Sequence, residues 1–339
     1  MDTPNRPNAF MFFWLLFSVF ASVLLGVVIG IFAAAQQLAE TGTVSADATM
    51  LALEQIPMWV MVVFSQVFIF GVPCMIYLTI HRKRIREILP LRRLGARNVL
   101  MVIGMSIAIY PLAMLLSAIT ATFFDSPISG VADSLANEGG LWLLLILFPI
   151  LPSIFEEVFM RGIIFSGYVN VKIFTAAIVN GLFFGIVHQN FNQFSYAFVL
   201  GFVMCYLMWY TKSLWAPVLC HFVVNALGSL LMYAGLGIDT SAVMGEAQYA
   251  ASGLDASATS ELLLAFAYLG GLAAVFFGGF LLIYRAFKRH NLKRNENEGV
   301  VTDTYAAAIA AGRPQPAVVT WGFLGAVLLG FILMIYQQW

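Results

Sequence analysis

The 339-residue chain is 61% hydrophobic and only 10% charged, with a mean hydropathy of +0.89, which excludes a soluble globular domain and places the protein in a bilayer. Its 17 basic and 17 acidic residues cancel, so the net charge identifies no partner, and no nucleic-acid partner is expected.

A helix needs roughly 20 apolar residues to cross a hydrocarbon core of about 30 Å. About nine segments reach that length: 10–35, 58–80, 98–122, 141–165, 172–190, 193–211, 214–235, 261–285 and 316–337. The runs are continuous rather than alternating, which argues against a β-barrel, and the first is too long for a signal-peptide core. The pattern predicts an all-α polytopic membrane protein. It divides into a three-span region over 1–140, a core of spans four to seven over 141–235, and a two-span region over 236–339.

Basic residues are sorted between the connections. The 81–97 loop holds Arg82, Lys83, Arg84, Arg86, Arg92, Arg93 and Arg97, and 285–315 holds Arg285, Lys288, Arg289, Lys293, Arg294 and Arg313. The stretches 36–57, 123–140 and 236–260 contain none and carry acids such as Glu40, Asp47, Asp125, Asp133, Asp239 and Asp255. The positive-inside rule then predicts a cytoplasmic N-terminus and, with an odd number of spans, a C-terminus on the opposite side. The basic loops can also meet anionic lipid headgroups, although topology alone accounts for them. Residues 286–315, rich in charge and ending in GRPQP, read as a mobile cytoplasmic linker. Cys74, Cys205 and Cys220 fall in apolar runs without metal-finger spacing and read as buried thiols.

Charge inside a span is costly, about 3 kcal/mol per residue on insertion scales, and so points to function. Span four, LFPILPSIFEEVFMRGIIF, contains Glu156, Glu157 and Arg161. Glu157 and Arg161 are four apart and suited to an ion pair, whereas Glu156 is turned about 100° away and is free to face a cavity. Pro152, one turn earlier, can kink the span. Span five ends in NGLFFGIVHQN, which carries His188, and span seven places His221 and Asn225 four apart on one face. These groups from three helices lie at similar depth and can converge on one pocket.

Glu156, His188, His221 and Asn225 together can activate a water, hold a tetrahedral oxyanion and move a proton, as peptide hydrolysis requires. A metal version is equally writable, with Glu156, His188 and His221 around Zn²⁺ and water in the open position. The chain has no HExxH, no GxSxG within a span and no paired intramembrane aspartates.

The three motifs resemble those of the CAAX prenyl protease and bacteriocin-processing (CPBP) intramembrane proteases, also called the abortive-infection family. The family's EExxxR is Glu156-Glu157 with Arg161, its FxxxH is Phe184 with His188, and its HxxxN is His221 with Asn225, within YTKSLWAPVLCHFVVNALG. The resemblance covers about 142–231. It implies a helical core opening towards the cytosol, in which Glu156 is catalytic and Glu157 supports the fold beside Arg161. It also implies a substrate that is a membrane-associated peptide or protein, prenylated in eukaryotic members, reached from the membrane or the cytosol. Members are often labelled metalloproteases, so both the metallo- and the glutamate-dependent mechanism stay open. The competing readings are a proton-coupled transporter, which would need polar residues along a whole pathway, and a non-catalytic scaffold or immunity protein.

Overall fold

The structure is a computed structural model that describes residues 3–45, 47, 52, 55–124, 128–235 and 256–337. Asp125, Asp239 and Asp255 lie outside the described residues. The elements are helical, and the one β feature among the described residues is an isolated antiparallel bridge between Leu91 and Ser213. In chain order the helices are α1 (Asn5–Thr41), α2 (Met58–Ile80), α3 (Ala96–Ala121), α4 (Gly130–Ile164), α5 (Ile173–Val187), α6 (Phe191–Thr211), α7 (Trp215–Tyr233), α8 (Ala256–Asn297), α9 (Thr304–Ala310) and α10 (Trp321–Tyr336).

Seven of these are long and apolar enough to cross a membrane; α5 and α10, predicted as spans five and nine, are shorter apolar helices. At about 1.5 Å per residue, α5 is roughly 22 Å long, less than the hydrocarbon core. Its short reach places its last residues inside the bundle. The turn that follows is equally economical: Gln189 takes φ 55°, and Asn190 caps α6 by accepting from the Gln193 amide at 2.8 Å.

Three stretches widen into π-helix: Phe64–Gly71 in α2, and Ile146–Ile150 and Val158–Ile164 in α4. Pro149 and Pro152 lie in or beside the second stretch and remove two amide donors from the regular ladder. In α2, Trp14 donates its indole N–H to the carbonyl of Ile69 at 2.9 Å, engaging an acceptor within the π turn. The Trp14 ring also packs on Phe70 and Phe159, with centroids 4.8 and 5.0 Å away. Within α4 the helix is broken by a kink at Gly140, at φ 64° and ψ −164°, a region open essentially to glycine. Just before it, Glu138 accepts from the amides of Met58 and Trp59 at 2.6 and 3.2 Å, satisfying orphan donors at the start of α2.

Helices in lipid gain little from hydrophobic exclusion and associate by close packing. The α5–α6 pair shows it: a Cβ on Gly181 would lie 2.6 Å from the Phe198 carbonyl oxygen, and one on Gly201 would lie 2.9 Å from the Gly181 Cα. This approach brings the Gly201 carbonyl within reach of α4. The three cysteines are free and buried, as expected.

The expectation of a mobile linker over 286–315 is corrected. Helix α8 continues to Asn297, and Asn291 and Asn295 are fully buried. Asn98 and Asn291 exchange amide hydrogen bonds at 3.1 and 2.8 Å. Arg92 donates to Asn295 at 2.6 Å and pairs with Glu298, while Arg294 donates to the carbonyls of Leu94 and Arg93 at 3.0 and 2.8 Å. Lys212 donates to the Thr302 carbonyl at 2.7 Å. Charge-rich composition suggested solvation, but these side chains are spent on buried amides and on carbonyls of the loop before α3.

Candidate active site

Helix α4 presents its two glutamates in different directions, as a 100° step per residue requires. Glu157 is fully buried and its Oε1 accepts from Arg161 Nη1 at 2.6 Å, one turn on. The same oxygen accepts from His221 Nδ1 on α7 at 2.8 Å. Arg161, also fully buried, donates through Nη2 to the Gly201 carbonyl at 3.2 Å and lies 4.5 Å from the centroid of the Phe184 ring. Burying a guanidinium is tolerable because charge, carbonyl and aromatic face all compensate it.

Phe184 organises the other side. Its ring stands nearly perpendicular to both imidazoles, with centroids 5.1 Å from His188 and 5.5 Å from His221. Its carbonyl accepts from His188 Nδ1 at 2.8 Å. A carbonyl can only accept, so His188 carries a proton on Nδ1 and in its neutral form keeps a lone pair on Nε2. His221 is held in the same sense by Glu157.

Glu156, His188, His221 and Asn225 line one cavity of about 400 Å³. The predicted quartet is therefore brought together, while Glu157 and Arg161 stand behind it. Asn225 donates one amide hydrogen to the Phe148 carbonyl at 3.3 Å. Glu156 is buried; its Oε1 accepts from Gln66 Nε2 at 3.1 Å, and its Oε2 has no partner in the protein.

Sequence reasoning did not single out several lining residues. Gln66 comes from α2 and Tyr110 from α3; Tyr196, on α6, accepts from Gln193 at 3.1 Å. An isolated glutamine in MWVMVVFSQVFIFG is a signal of the same kind as an intramembrane charge. The lining residues of α2 precede its midpoint, and those of α3 follow its midpoint. The cavity thus lies in the half of the bundle remote from the basic 81–97 loop.

Holding a metal requires several deprotonated ligands grouped around one point. Among the described residues no three His, Cys, Asp or Glu side chains are so grouped. As placed, Glu156, His188 and His221 line one cavity without being grouped around a single point as zinc ligands.

Residues 138–227 match the family model described as type II CAAX prenyl endopeptidase Rce1-like. Over these residues the chain is similar to that family. The matched stretch runs from α4 into α7 and contains every motif residue, from Glu156 to Asn225. YdiL of Bacillus subtilis, described as a membrane peptidase, is 32% identical over 84 residues, which are 24% of this chain and 34% of the relative. The chain therefore spans about a third of the length of the curated relative it matches. No solved structure matches the chain.

Proposed function

We propose that the protein is an intramembrane endopeptidase that hydrolyses a peptide bond in a membrane-associated protein or peptide, with Glu156 activating water. The observation that carries this reading is the state of the two histidines: each has Nδ1 committed to a fixed acceptor, and both line the cavity that Glu156 also lines. Two imidazoles held in one tautomer beside a free carboxylate oxygen form an acid–base set rather than interhelical glue.

In this mechanism Glu156 Oε2 takes a proton from a water as the oxygen adds to the scissile carbonyl carbon. His188 Nε2, carrying a lone pair, accepts the water's other hydrogen and orients it. The oxyanion meets the Asn225 N–H that is not spent on Phe148 and the Nε2–H of a His221 that has taken its second proton from the medium before the substrate binds. Glu157 stabilises the imidazolium, as a carboxylate behind a histidine does in other hydrolases. The proton then passes to the leaving amine, and the C–N bond breaks. Removing one oxyanion donor typically costs about 10²–10³ in kcat.

The cavity is bounded by apolar side chains such as Leu147, Val224 and Met232, which suits an apolar or lipid-modified segment reaching Glu156 from within the membrane. The proposed acid–base groups Glu156, His188 and His221 share this one cavity, an arrangement that favours hydrolysis over proton-coupled transport. The deciding experiment compares wild type with Glu156→Gln and His221→Ala in liposomes against membrane-anchored reporter peptides. Both variants should stay folded and lose cleavage. If both cleave as fast as wild type, the chain is no protease of this kind. Substrate retained by Glu156→Gln and identified by mass spectrometry would name its chemistry.

A further inference from the structure

We propose that Gln66 on α2 is a positioning residue for Glu156, so that the working site is completed by a span outside the family-matched core; this rests on the hydrolytic reading above. Gln66 is buried, and its Nε2 donates to Glu156 Oε1 at 3.1 Å. Among the described residues that is the one hydrogen bond of the Glu156 carboxyl, and its Oε2 is buried without a partner. The amide therefore distinguishes the two oxygens. Oε1 is held and Oε2 is left to accept a proton.

Among the described residues Gln66 hydrogen-bonds to no other polar group. Its Oε1 is also buried without a partner, so the side chain commits a costly buried amide to a single contact. Its backbone is unusual in the same direction. It lies in the π-helical stretch Phe64–Gly71, whose Ile69 carbonyl is engaged by Trp14 of α1. The α2–α4 approach at this level is tight: a Cβ on Gly71 would lie 2.9 Å from the ring of Phe155, the residue before Glu156. π turns recur at functional sites because they turn a side chain out of the regular helical register. Here the turn coincides with the glutamine that meets the proposed base. A free carboxylate rotates among several poses, and fixing one oxygen lowers the cost of reaching the reactive pose.

The test uses the full chain in lipid nanodiscs with Gln66→Met, which keeps length but has no amide, and Gln66→Glu, which keeps shape but replaces a donor with an acceptor. On a peptide that wild type cleaves, Gln66→Met should lower kcat about tenfold, as expected for one lost hydrogen bond, with KM within about twofold and thermal stability preserved, a pattern that marks an interaction used in the chemical step. Gln66→Glu should lose more. In protein carrying ¹³C-carboxyl glutamate, the infrared band that disappears in Glu156→Gln should move in Gln66→Met. Wild-type kcat in Gln66→Met, a loss confined to KM, or a loss that tracks unfolding would overturn the proposal while leaving proteolysis intact. Should wild type cleave no peptide at all, proteolysis falls, and the infrared comparison still decides Gln66: a displaced band sustains its hold on Glu156, and an unmoved band removes it.

Discussion

One oxygen of Glu157 accepts from both Arg161, at 2.6 Å, and His221, at 2.8 Å. The sequence reading gave Glu157 to Arg161 alone. The second bond makes this glutamate the joint between the guanidinium that anchors α4 against α6 and the imidazole that faces the cavity. Removing one partner of a buried charged pair typically costs about 3–5 kcal/mol. Glu157→Gln should therefore lower thermal stability severely and reduce activity. Arg161→Met paired with Glu157→Gln should recover stability, because no charge is left buried alone, without recovering cleavage, because His221 stays unsupported. Thermal unfolding and peptide cleavage on the two single variants and the double variant measure both outcomes. Recovery of activity in the double variant would show that Glu157 supports only the fold.

Glu156 is expected to behave in the opposite way. Its Oε2 makes no hydrogen bond among the described residues, so Glu156→Gln removes little that holds the bundle and everything a base supplies. General-base catalysis contributes typically about 10²–10⁴-fold. The variant should keep the wild-type melting temperature within a few degrees while kcat falls by at least about a hundredfold. A variant that unfolds instead would place Glu156 among the structural residues.

The legible parts of the fold were those with a strong one-dimensional signal. Apolar runs gave the helices, and i, i+4 spacing separated Glu156 from Glu157 and paired the latter with Arg161. Contacts between distant segments carried no such signal. Nothing in the local sequence indicates that His221 will meet Glu157 or that the Phe184 carbonyl will fix His188, since both depend on how α4, α5 and α7 cross. Gln66 was visible as a lone amide in an apolar run, but its partner lies 90 residues on. The 286–315 misreading has a related cause: composition reports average polarity, whereas Asn291 answers Asn98 within α3, and Arg294 and Asn295 answer particular groups in the loop before it.

That same docked region supplies a pH-dependent test. Lys212 occupies the left-handed position after α6 at φ 51°, with its ammonium donating to Thr302. Burial pushes its pKa from 10.5 down to about 8, with Asp303 opposing the shift and Arg92 adding to it. A lysine whose folded pKa lies below its unfolded value disfavours folding when it must stay charged, fully so below about 8. The unfolded chain binds more protons between pH 8 and 10.5, so stability should rise across that window. In Lys212→Met the rise should be flatter. Thermal unfolding of both proteins at fixed ionic strength checks this, and equal slopes would mean that Lys212 stays charged when folded.

Metal dependence is the sharpest remaining division between the two mechanisms that the motifs allow. Glu156, His188 and His221 line one cavity but are not grouped as metal ligands, and Glu157 commits His221 Nδ1 while the Phe184 carbonyl commits His188 Nδ1. The remaining Nε2 atoms suit hydrogen bonding to a water and an oxyanion in the scheme proposed here. Protein freed of divalent cations by prolonged chelation, with its metal content measured, should retain cleavage, and added Zn²⁺ should not increase it. Activity that falls in proportion to the metal removed, and returns with one equivalent of Zn²⁺, would require Glu156 and the two imidazoles to close around an ion. The same titration on His188→Ala would then show whether that residue is one of its ligands.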